Sequence, residues 1–167
     1  ANDLVVPGLP PGAQAGVLSD DDSLEFPSTT HISVFDRYGN IASMTSSIEF
    51  AFGSALMVRG FLLNNQLTDF SFSSERNGRP VANRVEPGKR PRSSMAPTVV
   101  FEQGGRPLLA SGSPGGSRSI CYVSKALVGV LDWELDLNDA IASPNLCNRN
   151  GVTELEVGDL AGDLEAD

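Results

Sequence analysis

At Gly112-Ser113-Pro114-Gly115-Gly116-Ser117-Arg118 the sequence changes from one periodicity to another. This stretch follows the short apolar run Pro107 to Ala110 and precedes Ile120, Val123, Leu127, Val130 and Leu131, which recur at three- and four-residue intervals. That spacing puts the apolar side chains on one face of a helix running to about Trp133, with Ser117 available as its cap. A strand therefore passes through a glycine turn into a helix. The first N–H groups of such a helix have no partner within it and carry the positive end of its dipole, so the turn is suited to hold an oxyanion. The plainer reading is a tight turn that requires positive φ. Neither a GxGxxG fingerprint nor a Walker lysine accompanies it.

Working outward, Thr98 to Phe101 and Pro107 to Ala110 flank Gln103-Gly104-Gly105-Arg106 and read as a hairpin. A second hairpin starts near His31: Ile32 and Val34 alternate with polar residues, Arg37-Tyr38-Gly39-Asn40 turns the chain, and Ile41, Ala42 and Met44 return it. Phe61 to Leu67 reads as a short strand, Thr68 to Arg92 as a long loop, and Leu137 to Ala142 as a further helical turn. Thr153-Glu154-Leu155-Glu156-Val157 looks like an edge strand that ends before its partner. Residues 1–26, rich in Pro, Gly, Ala, Ser and Asp, read as a linker with order beginning near Phe26. Strands grouped ahead of a helix, with no strict βαβ alternation, argue for an α+β domain.

The chain has 167 residues and 40% apolar side chains, enough for one core. Its longest apolar runs fall far short of the roughly 20 residues needed to span a bilayer. The net charge is −9, but residues 1–28 hold five acids and no base and residues 151–167 hold six acids and no base. The remaining ten acids and twelve bases leave the middle at +2. Arg76, Arg79, Arg84, Lys89, Arg90 and Arg92 form a basic stretch without interleaved aromatics or a nucleic-acid-binding pattern, so no nucleic-acid partner is expected. One histidine and two cysteines without CxxC spacing give no metal site, and no cofactor is expected. Cys121 reads as a small core residue on the helix, and Cys147, among polar residues, as free or paired. This is compatible with a periplasmic and a cytoplasmic protein alike.

Three further clusters carry polar chemistry. Ser28-Thr29-Thr30-His31 sits where linker gives way to strand, and taken alone its hydroxyls read as ladder residues. Asn64-Asn65-Gln66-Leu67-Thr68-Asp69 offers acceptors for an ammonium group, whereas the paired hydroxyls and N–H groups of Ser93-Ser94 suit a carboxylate. Together they would hold an amino acid. His31, two residues along a strand from Thr29, reads as a packing or hydrogen-bonding residue, and Arg118 as a partner for an acid.

Thr-Thr-His-Ile-Ser-Val from Thr29, Gly-Phe-Leu-Leu-Asn-Asn-Gln from Gly60, Pro-Gly-Lys-Arg-Pro-Arg-Ser-Ser-Met-Ala-Pro-Thr from Pro87 and the Gly112 to Arg118 turn occur in one order. In these motifs, from Thr29 to about Thr153, the sequence resembles the γ-glutamyltransferases (γ-glutamyltranspeptidases) of the N-terminal-nucleophile hydrolase class. The resemblance implies part of a four-layer αββα sandwich. Residues 29–167 would be the small-subunit catalytic domain, truncated at its C-terminus, and residues 1–28 the tail of the large subunit of the same precursor, its heterodimer partner.

For the chemistry, the resemblance implies autocatalytic cleavage between Ser28 and Thr29 and a Thr29 acyl-enzyme. A γ-glutamyl donor such as glutathione would give up its glutamyl group to water or an amino acid. Gly115 and Gly116 match the oxyanion hole, Gln66 and Asp69 the site for the α-amino group, and Ser93 and Ser94 the site for the α-carboxylate. Two positions depart from the common pattern. Ser47 stands where many members have a threonine that bonds the nucleophile, and Glu49 stands where many have asparagine. Alone, a chain lacking the rest of the large subunit should be inactive and should carry an association-prone apolar patch. Two alternatives stand beside this reading: a cephalosporin-acylase-like amidohydrolase of the same family, and a non-catalytic β-rich assembly or binding domain.

Overall fold

The computed structural model describes residues 11–12, 17–21 and 28–157. The chain divides into two compact units, one made of residues 1–26 and 48–93 and the other of residues 27–47 and 94–167. Each is built from antiparallel two-stranded pairs, and the second adds the helices.

In the second unit, β1 (Thr30–Phe35) pairs with β2 (Ile41–Ser46), with His31 opposite Thr45 and Phe35 opposite Ile41. The turn between them is organised by Asp36. Its Oδ1 accepts from the amides of Tyr38 (2.8 Å) and Asn40 (2.9 Å), and its Oδ2 accepts from the Asn40 side chain (2.7 Å). The Asn40 amide, followed by these backbone amides, holds the Asp36 carboxyl below its ordinary pKa. The hairpin expected from the alternating pattern is therefore present.

In the first unit, β3 (Met57–Val58) pairs with β4 (Phe61–Leu62) across Arg59-Gly60, both at positive φ as a primed turn requires. The strand expected over Phe61 to Leu67 stops at Leu62, and Gln66–Asp69 forms a 3-10 turn. Gly53 explains the crowding beside this hairpin: a Cβ there would lie 2.1 Å from the Leu63 carbonyl oxygen. The segment expected to be one long loop contains another hairpin, β5 (Glu75–Arg76) with β6 (Arg79–Pro80), turning at Asn77-Gly78.

Part of the expected linker is tied down in this unit. Ser19 bridges to Val81, its amide donating to the Pro80 carbonyl (2.8 Å) and its carbonyl accepting from Ala82 (2.8 Å). Asn83 then gathers three segments, donating to Asp21 Oδ2 (2.7 Å) and the Asp69 carbonyl (2.6 Å) and accepting from the Arg92 amide (3.0 Å). Backbone pairing at Ser19 and the buried Asp21 carboxylate, which Arg92 faces at 3.2 Å, hold this part of the stretch, whereas Phe26, the expected start of order, lies outside the described residues. Of the expected linker, residues 1–10, 13–16 and 22–26 lie outside the described ones.

Returning to the second unit, β7 (Thr98–Phe101) and β8 (Pro107–Ser111) form the expected hairpin, with an irregularity at Val100/Phe101. A 3-10 turn at Gly116–Arg118 leads into α1 (Ser119–Leu131), and α2 (Leu137–Ala142) is capped by the Asp136 side chain. The Ser117 side chain does not cap α1, whose cap position is Arg118, one residue later than expected. Leu109, Val123, Ala126 and Ala140 form the buried apolar set. Gly129 is where the helices meet, since a Cβ there would come within 2.9 Å of the Ala140 Cβ.

Two expectations for the C-terminal part are corrected. The edge strand expected over Thr153 to Val157 without its partner is β10 (Thr153–Leu155), which stops at Leu155 and pairs with β9 (Leu146–Asn148). Cys121 is not a free core thiol: it is disulfide-bonded to Cys147, which lies on β9. Short sequence separation hid the strand pair, because β9 has only three residues and two of them are polar or sulfur-bearing.

In the first unit Phe52, Phe61, Leu67 and Phe72 are each at least 70% exposed, so apolar surface is left open there. Among the described residues no helix is long and apolar enough to cross a membrane. The helix contact yields a direct test: Gly129→Leu overpacks the α1–α2 crossing and lowers stability by about 1–3 kcal/mol, read from urea unfolding, with Gly129→Ala milder.

Candidate active site

The two hydroxyl residues near the junction converge on one atom. Thr29 Oγ1 donates to the Ser28 carbonyl oxygen, and Ser47 Oγ donates to the same oxygen at 2.8 Å. Ser47 reaches it because β2 returns antiparallel to β1, pairing Ser46 with Thr30 one residue from each site. Two donors on one carbonyl oxygen polarise its C=O bond and stabilise negative charge developing there. The neighbouring Ser28 Oγ is buried with no hydrogen-bond partner among the described residues.

His31 has both ring nitrogens engaged, Nδ1 with Thr45 Oγ1 (2.8 Å) and Nε2 with Ser33 Oγ (2.9 Å). Its ring also lies against Gly112, where a Cβ would fall 2.2 Å from Nδ1. This contact links β1, two residues after Thr29, to the segment three residues before Gly115. Ser43 Oγ reinforces the link by donating to the Ser111 carbonyl (3.0 Å).

The glycine turn has the backbone that its sequence implies. Gly115 sits at φ +134° and Gly116 at φ +58°, in the region that L side chains rarely adopt. At Gly115 a Cβ would also approach the Tyr122 ring to 2.9 Å. No side chain caps the helix start, so these backbone donors are not consumed by a capping group. Arg118 pairs with an acid as expected, Glu154, at 2.5 and 3.0 Å.

The remaining polar cluster forms within the first unit. Gln66 Nε2 donates to Glu49 Oε2 (3.2 Å) and to Asp69 Oδ2, so one amide bridges two carboxylates. Glu49 itself stands at φ +72°. Asn65, which the sequence reading noted only as one of a polar run, fastens this arrangement: its Oδ1 accepts from the Phe50 amide (3.0 Å), its amide donates to the Ile48 carbonyl (3.2 Å), and its Nδ2 donates to Thr68 Oγ1 (3.0 Å). The 48–50 loop is thereby pinned to the 3-10 turn. Ser93 is exposed and ends one unit, and Ser94 is half-buried and begins the next stretch of the other.

The γ-glutamyltranspeptidase family model matches residues 12–165. The glutathione hydrolase proenzyme of Bacillus subtilis strain 168 is 42% identical over 120 residues, 71% of this chain and 19% of that protein. The glutathione hydrolase proenzyme of Escherichia coli K12 is 39% identical over 139 residues, 77% of this chain and 23% of that protein. Among solved structures, a mutant of Helicobacter pylori γ-glutamyltranspeptidase superposes with a TM-score of 0.69 at 34% identity, covering 81% of this chain and 79% of that one. The fold these define is the N-terminal-nucleophile hydrolase fold, of which the α+β elements here are a part. The chain belongs to the γ-glutamyltranspeptidase family. It spans about a fifth of the length of the curated relatives it matches.

The role of Asn65 can be checked without any substrate. Asn65→Ala removes the acceptor of the Phe50 amide, and hydrogen exchange at that amide should accelerate about fivefold or more, as expected for the loss of a hydrogen bond worth roughly 1 kcal/mol or more.

Proposed function

We propose that this chain supplies the nucleophile and oxyanion donors of a γ-glutamyl-transferring and glutathione-hydrolysing enzyme, activated by cleavage of its own Ser28–Thr29 bond. The observation that carries the proposal is the pair of hydroxyls on the Ser28 carbonyl oxygen. Thr29 Oγ1 attacks the Ser28 carbonyl carbon, closing a five-membered ring. The C–N bond breaks, the proton that Oγ1 loses passes to the departing nitrogen, and Ser28 is left as an ester on Oγ1. Water then hydrolyses the ester and leaves Thr29 as an N-terminal residue. Ser47 stabilises the oxyanion in this step.

The freed α-amine, with an ordinary pKa of about 7.7–8.0, serves as general base for Oγ1 near neutral pH. Oγ1 attacks the γ-glutamyl amide carbonyl and the amine leaves with a proton. The glutamyl ester passes to water or to the amino group of an acceptor. The Gly115 and Gly116 amides receive the oxyanion of each tetrahedral intermediate.

Glu49, Gln66 and Asp69 take the donor's α-amino group, and Ser93 and Ser94 its α-carboxylate. Two carboxylates sharing one amide favour a cationic occupant. That favours donors carrying an α-ammonium group over glutaryl amides, which lack one and are the donors expected of a cephalosporin-acylase-like reading. The large subunit of the same precursor is the partner, consistent with proenzyme relatives several times longer than this chain and with the exposed apolar side chains of the first unit.

Mass spectrometry of the full-length precursor tests the reading. The expected result is a new N-terminus at Thr29, lost in Thr29→Ala and formed at least about tenfold more slowly in Ser47→Ala, on the scale of a lost oxyanion donor. A wild-type polypeptide that stays whole on long incubation overturns it. On the processed enzyme, a γ-glutamyl anilide should be cleaved in preference to a glutaryl anilide.

A further inference from the structure

Between Pro114 and the helix, the glycine turn has no side chain with which to anchor itself. The first residues that can hold it in place are Ser117 and Arg118. Both are gripped by the β9–β10 hairpin: Arg149 Nη1 donates to Ser117 Oγ (2.7 Å), and Glu154 accepts from Arg118 Nε (2.5 Å) and Nη2 (3.0 Å). Glu154 Oε1 also accepts from Arg149 Nη2 at 2.5 Å, so the three charged groups and Ser117 form one connected set. Three residues past Arg118, the same hairpin is bonded covalently to the helix through Cys147–Cys121, with Cα atoms 5.4 Å apart.

Three tethers from one hairpin therefore fall within five consecutive residues, immediately after Gly116. The hairpin is itself stiffened for this: Asn148 Nδ2 donates to the Gly151 carbonyl (3.1 Å) and to Thr153 Oγ1 (2.8 Å), closing its turn. The anion between the two guanidiniums is well suited to its place. Hydrogen bonds from Arg118 and then Arg149 hold the Glu154 carboxyl below its ordinary pKa, so it stays charged where the arginines need it. Without it two cations would face each other with no anion between them.

We propose that the β9–β10 hairpin is the positioning element of the oxyanion turn, with Glu154 as its central positioning residue and the Cys121–Cys147 disulfide as its covalent stay. This rests on the assignment of the Gly115 and Gly116 amides as oxyanion donors. Glu154 touches no reacting group; it acts through Arg118, Arg149 and Ser117 on the direction in which those amides point. Displacements of about 1 Å at such donors cost up to about a hundredfold in rate, so a loosened turn should be visible in turnover before it is visible in substrate binding.

The test uses the full-length enzyme after processing, with Glu154→Gln and the double variant Cys121→Ala/Cys147→Ala. Each should lower kcat by about tenfold or more while KM changes less than about threefold, the signature of an interaction made in the transition state. Affinity for a γ-glutamyl boronate, which becomes tetrahedral on Thr29 Oγ1, should fall by the same factor as kcat. A purely structural role would lower the melting temperature and leave the kcat-to-KM split and the boronate affinity as in wild type, and that result overturns the proposal. If Glu154→Gln does not accumulate as processed enzyme, Arg149→Gln removes the outer tether alone and is read in the same way. Gly115→Ala separates the two levels. A normal kcat in that variant defeats the oxyanion assignment and the proposal with it, whereas a crippled Gly115→Ala beside normal tether variants defeats the proposal alone.

Discussion

Nothing larger than a hydrogen fits at residue 112, because the His31 imidazole occupies the space a Cβ would take. Much of the second unit depends on that close approach. It lets β1 lie against the end of β8, and so brings the segment that starts at Thr29 alongside the segment that ends in Gly115-Gly116. His31 is held in this position through both ring nitrogens, by its cross-strand partner Thr45 and by Ser33 on its own strand. The single histidine of the chain is therefore committed to joining two hairpins, and the proposed mechanism accordingly gives proton transfer to an α-amine and not to an imidazole.

The same economy appears at the junction. β2 must run back past the start of β1 for Ser47 to reach the Ser28 carbonyl, and the Asp36-centred turn fixes that return. A register slip of one residue would move the Ser47 hydroxyl to the other face of the ladder. The tight turn at 36–40 is therefore remote in sequence from the junction but sets which hydroxyl meets it. Serine at this place keeps the donor and omits the methyl of threonine, leaving the hydrogen bond intact.

How far the sequence carried the structure depended on how local the determining interactions were. The β1–β2 and β7–β8 hairpins and α1 were legible because alternation and three-to-four spacing persist over six, four to five and thirteen residues. The β5–β6 hairpin was hidden although Asn77-Gly78 is a strong turn signal, since its strands are two residues each and contain Glu, Arg and Pro. The disulfide joins cysteines 26 residues apart, and no spacing rule marks such a pair. Hubs such as Asn83 and Asn65 were equally hidden, because an asparagine that ties three segments together looks in sequence like any turn residue. For the candidate site, the residue types were legible and their convergence was not: that two hydroxyls would share one carbonyl oxygen is a fact of register.

A division of labour follows from these arrangements. In the proposed reaction the groups that meet a reacting atom are small or are backbone: a threonine and a serine hydroxyl, and two glycine amides. Such groups reach close to a carbonyl, but they bring no bulk with which to fix themselves. Their placement is delegated to larger residues a few positions away, His31 at Gly112 on one side and the Arg118–Glu154–Arg149 set on the other. An ion-pair set of this kind, roughly a third exposed, adds little to stability because exposed pairs are typically worth about 0–1 kcal/mol. Its geometry is nevertheless narrow, since a guanidinium meeting a carboxylate through two N–H groups is fixed in angle as well as distance. An interaction that contributes little to folding and much to direction is what a turn made of glycines requires, for its weakness lies in orientation and not in cohesion.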